Sequence, residues 1–150
     1  MPRLITYRSV PLCGIAAALP GAALGLFFAG FGFDPMEFGR LSAARLGSDF
    51  RSSFLLVLPA TPVVLAAGFL HAALFNRFYR DRQPGPRFVP LSALVAALGG
   101  AFASLALGAL LFQSCGAAFR LGKTLAAPGL TAGALFGFAV ALWARRRGRP

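Results

Sequence analysis

Residues 88–112 read FVPLSALVAALGGAFASLALGALLF, 25 residues without one charged side chain. A bilayer core of about 30 Å takes roughly 20 residues of helix, so a stretch this long and this apolar reads as a membrane span. Three more such stretches lie at 10–33, 53–75 and 125–144. All 15 Lys and Arg and all four Asp and Glu fall outside the four stretches. His71 is the only side chain inside them that titrates near neutral pH. In lipid the backbone must satisfy its own hydrogen bonds, which favours helices. The expected fold is all-α: one integral membrane domain over 1–150, a four-helix bundle of two transmembrane hairpins.

Composition agrees. The chain is 57% apolar and 13% charged, against roughly 25% charged in soluble domains. The loops and tails left over are too short for a separate soluble domain. The net charge of +11 would suit nucleic acid if it formed one basic face. Instead the arginines flank the spans, as the bias of membrane insertion predicts. Nucleic acid is therefore not an expected partner.

Ten Lys and Arg lie in the N-terminal segment, the second loop and the tail, against five in the first and third loops. Cytoplasmic segments carry the excess, so both termini are expected there. Tyr7, Tyr79 and Trp143 then fall at the cytoplasmic interface, where amphipathic rings prefer to sit. Arginines there can also meet anionic lipid head groups, for about 1 kcal/mol each. The bias of Arg over Lys, together with abundant Ala, points to a bacterial inner membrane.

Small residues recur four apart. Span 1 has Ala17, Gly21 and Gly25; span 3 has Gly100, Ser104 and Gly108; span 4 has Gly129, Gly133 and Gly137. Such stripes lie on one helix face and let backbones approach closely. The stripe does not say whether the approaching helix is internal or from another chain. Pro20 in span 1 is expected to bend its helix.

The first loop is the longest polar segment. Asp34-Pro35-Met36-Glu37 has the order of a helix start, with Asp as cap and Pro first. A short interfacial helix to about Leu46, ended by Gly47, is expected between spans 1 and 2. Asp34, Glu37, Arg40 and Arg45 make it the candidate external docking surface, with a solvated connector as the plain alternative. Asp34, Glu37 and Asp49 could chelate a cation. Capping and pairing with Arg40, Arg45 or Arg51 explain them more simply.

Three in-span residues are candidates for function. Pro59 and Pro62 remove two backbone donors from span 2, and neighbouring helices, Thr61 or water must satisfy the freed carbonyls. Broken helices occur at transport sites, and equally as packing kinks. His71 is a functional candidate as an intramembrane ionisable residue. No second histidine supports a haem, and no in-span acid supports a proton relay. A structural or interfacial role, one turn from the end of span 2, is the simpler reading.

Residues 10–22 match residues 89–101 at 8 of 13 positions. A duplicated hairpin is one explanation; the abundance of Ala, Leu and Gly is the other. Cys13 and Cys115 are expected on opposite faces of the membrane, too far apart for a disulfide. Span 1 exceeds the roughly 7–15-residue apolar region of a cleaved leader and reads as a retained span.

No nucleophile triad, phosphate-binding glycine loop or metal-ligand cluster is present in the sequence, so neither an enzyme nor a cofactor is expected. In size and span count the chain resembles small multidrug transporters. Those carry a glutamate inside the first span, and span 1 here has no acid. The expectation is a non-catalytic membrane interaction protein: an accessory subunit of a larger complex, or an immunity-type inhibitor of a membrane partner. The alternative is a small oligomeric channel or transporter. The spans offer a conduction path only Ser53, Thr61, His71, Ser92, Ser104 and Thr131 as polar lining.

Overall fold

The computed structural model describes residues 5–30, 43–79, 85, 87–111 and 122–147. Four helices are long and apolar enough to cross a bilayer: Ser9–Ala29 (span 1), Arg45–Phe78 (span 2), Phe88–Ala109 (span 3) and Ala126–Arg146 (span 4). Among the described residues there is no strand.

Span 4 is the hub. Its glycine stripe faces span 3: a Cβ on Gly129 would strike the Gly100 carbonyl, one on Gly133 the Ala96 carbonyl, and one on Gly137 the Ser92 carbonyl. Positions rise by four on one helix as they fall by four on the other, so the two run antiparallel. Ser104 extends this seam, since a Cβ on Gly129 would lie 2.8 Å from its Cβ. Gly108, further along span 3, is buried. Span 1 packs elsewhere on span 4. A Cβ on Gly21 would lie 2.9 Å from the Thr131 carbonyl oxygen, and one on Gly25 would meet the Ala127 backbone. The Thr131 hydroxyl sits 2.6 Å from the Gly21 carbonyl and 2.8 Å from that of Ala127. The small-residue stripes therefore serve contacts inside the chain. Lipid tails supply no hydrophobic drive between helices, so this close approach is the main source of attraction.

Span 1 accommodates Pro20 by widening. Gly14–Ala18 is a π-helical turn, and the Leu19 N–H donates to Gly14, five residues back. A proline ring crowds the carbonyl four residues earlier, and the wider turn relieves that clash.

Span 2 departs from expectation at its start. The helix already runs from Ala43 to Val57, straight through Gly47. Residues 34–42, the first part of the expected interfacial helix, lie outside the described residues, but no break falls at Gly47. An interior glycine costs only about 0.5–1 kcal/mol. Here the helix keeps its fixed points: Phe50 packs edge-on against Phe27 of span 1 at 6.2 Å. At the proline pair, Leu58–Ala60 tightens to a 3-10 turn. Pro62 cannot donate to the Leu58 carbonyl, and the Thr61 hydroxyl does so instead, at 2.5 Å.

One end of the bundle gathers the start of span 1, the end of span 2, the start of span 3 and the end of span 4. Ile5 N–H donates to Asn76 Oδ1 at 2.8 Å, and Asn76 Nδ2 returns a bond to the Ile5 carbonyl at 2.8 Å. Tyr79 packs edge-on against Phe88, and Phe75 contacts both rings. Arg8, Arg77, Arg87, Arg145 and Arg146 are exposed around this basic end.

The two hairpins are packed differently. Spans 3 and 4 touch along their length through glycine. Spans 1 and 2 meet at Phe27 and Phe50, and again where Gly14 faces Leu65 and Gly68 faces Val10. The similarity of 10–22 to 89–101 is not matched by equivalent hairpin packing.

Candidate functional site

Span 2 leans away from span 3 and leaves a groove of about 440 Å³ between them. The side chains on the facing stripes explain the gap. Spans 3 and 4 close on glycine, whereas the facing stripes of spans 2 and 3 carry Val63, Leu70, Leu74, Val95 and Phe102, too bulky for close approach. All five are exposed, so the groove opens sideways. Its inner wall is made of small residues of spans 3 and 4, including Ala96, Gly100, Gly129 and Gly133. Gly99 also lines it, and a Cβ there would meet nothing within 4 Å.

His71 lines the groove in its part nearer the basic end. It lies inside the bundle, with 7% of its surface exposed. Its ring stacks on Phe75 at 4.4 Å and meets Phe136 of span 4 edge-on at 5.8 Å. Nε2 lies 3.0 Å from the Ser92 hydroxyl, which donates to the Gly137 carbonyl at 2.9 Å. A hydroxyl has one proton, and the carbonyl takes it. Nε2 must therefore carry hydrogen and donate to Ser92. Spans 2, 3 and 4 are linked by this relay, with Ser92 fully buried. Nδ1 is then a bare acceptor, and it has no partner among the described residues.

The other sequence candidates fall elsewhere. Pro59 and Pro62 shape span 2 beside the groove, and both side chains are exposed. Arg45 is exposed at the far end of span 2, while Asp34, Glu37 and Arg40 lie outside the described residues. Cys13 is buried as a free thiol, and Cys115 is outside the described residues. Among the described residues no three His, Cys, Asp or Glu side chains come together as metal ligands. Sequence reasoning counted Ser92 as span polarity and missed its pairing with His71. A lone serine one turn into an apolar span was the available signal. Gly99 and Phe102 carried no signal apart from their neighbours.

No protein family, curated protein or solved structure matches this chain. The groove and the His71–Ser92–Gly137 relay are therefore read on their own chemistry.

Proposed function

We propose that this chain is a non-catalytic membrane interaction protein, an accessory subunit or immunity-type inhibitor that docks on another membrane protein through span 3. One observation carries the reading: Leu94, Leu98 and Phe102 form a ridge at four-residue spacing with 57%, 60% and 75% of their surfaces exposed. A ridge of that spacing fits the groove of a neighbouring helix. Span 4 holds spans 1 and 3 by close backbone contact, and span 3 keeps this outer face free to present. The same reading places both termini on the cytoplasmic side of a bacterial inner membrane, with the exposed arginines of the basic end facing the cytoplasm.

The channel alternative gains less support. Thr131, Thr61, His71 and Ser92 all spend hydroxyl or ring donors on helix-to-helix or local backbone bonds. A path for ions needs such groups turned toward a pore.

The test is a mild-detergent pull-down of the tagged chain from its native membrane, read by mass spectrometry and native mass. A stoichiometric membrane partner that is lost on Phe102→Ala supports the reading. A homo-oligomer with no partner, together with ion or solute flux in liposomes, rejects it in favour of transport.

A further inference from the structure

The groove between spans 2 and 3 has the parts of a ligand site, and this inference goes beyond the docking reading without depending on it. Its volume of about 440 Å³ falls within the roughly 300–1,000 Å³ of small-ligand pockets. A helix about 10 Å across and 30 Å long would not fit inside it. A single hydrocarbon chain would, between Leu70 and Leu74 on one wall and Val95 and Phe102 on the other.

Two polar features order the ligand along the groove. His71 is more than nine-tenths buried, lines the groove, and has Nδ1 as an acceptor with no partner among the described residues. It calls for a hydrogen-bond donor on the ligand, because Nε2 is already committed to Ser92. Beyond it, both walls run on to an exposed arginine. On span 2, Leu70, Leu74 and Arg77 share one helical stripe; on span 3, Arg87, Leu91 and Val95 share another. Six residues separate His71 from Arg77, about 9 Å of helix. Guanidinium groups in pairs favour phosphate.

We infer that the groove binds a one-tailed anionic phospholipid, with its acyl chain between spans 2 and 3, its free glycerol hydroxyl donating to His71 Nδ1, and its phosphate between Arg77 and Arg87. The glycerol hydroxyl is free only where one acyl chain is missing, which matches a groove with room for one tail. Hydroxyls on a head group beyond the phosphate would point out to water and could not reach inward to His71.

The full-length protein in phosphatidylcholine nanodiscs is titrated with oleoyl-lysophosphatidic acid and read by native mass spectrometry. Dioleoylphosphatidic acid, which lacks the hydroxyl, and oleoyl-lysophosphatidylcholine, which lacks the net negative charge, are the comparisons. One lysophosphatidic acid per chain is expected, with each comparison lipid bound about tenfold more weakly, the equivalent of one good polar contact. His71→Gln keeps an N–H for Ser92 near the Nε2 position and removes Nδ1; it should lower lysophosphatidic acid binding about tenfold. Arg77→Gln with Arg87→Gln should bring lysophosphatidic acid down to the level of lysophosphatidylcholine. Gly99→Leu fills the groove where a Cβ meets nothing, and should abolish binding while the bundle stays folded. Equal binding of the three lipids, binding indifferent to His71→Gln and Gly99→Leu, or a groove filled by a partner's helix overturns the inference.

Discussion

Gly99 and Gly100 are neighbours in the sequence and look into opposite surroundings. A Cβ on Gly100 would strike the Gly129 carbonyl of span 4, while one on Gly99 would meet nothing within 4 Å. The first belongs to the seam with span 4, the second to the groove toward span 2. Span 3 is thus two-faced: closed by backbone contact on one side and open on the other. A small residue produces close packing only where another backbone arrives to use it. Where bulky side chains face it from across the gap, it widens a groove instead.

The seam can be broken outright. Gly133→Leu would drive a side chain into the Ala96 backbone, and we expect loss of the folded bundle. This would be read as loss of monodisperse protein in detergent; normal assembly of this variant would refute the seam. Ser92→Ala acts where seam and groove meet. It strands the Nε2 donor of His71 and should cost about 1–3 kcal/mol. Thermal unfolding can be followed through the buried Cys13 thiol with a reactive fluorophore, in a Cys115→Ser background. Thr131→Val removes the hydroxyl that bridges to Gly21 of span 1 and should cost about 0.6 kcal/mol, the average for interhelical bonds in membranes. The only change expected to cost nothing lies on the open face. Gly99→Ala should be neutral or stabilise by up to about 1 kcal/mol through helix propensity alone. A clear loss of stability there would show that the groove is closed.

Much of this architecture was legible in the chain itself. The four spans follow from apolar length and the placement of charge, and the structure puts its four long apolar helices at nearly the same residues. The glycine stripes announced close contact but not its direction, because a four-residue spacing defines a face and leaves the neighbour open. Gly47 looked like a helix end because glycine often is one. It lies inside the helix of span 2 because its modest cost is outweighed by a continuing helix whose Phe50 packs on Phe27. His71 stood out from the start, yet its chemistry depends on Ser92 and Gly137, which are 21 and 45 residues apart from their partners in sequence. Pairings of that kind arise from helix register, which no local pattern records. The groove was likewise invisible, since it is a space left by side chains on two spans that each look ordinary.

The most direct test places the same side chain on each face of span 3. Gly99→Leu and Gly100→Leu are prepared in parallel, and their unfolding midpoints in detergent are compared with that of the parent chain. The two-faced account predicts that Gly100→Leu fails to form a stable bundle while Gly99→Leu unfolds close to the parent. Equal destabilisation of the two variants would contradict it.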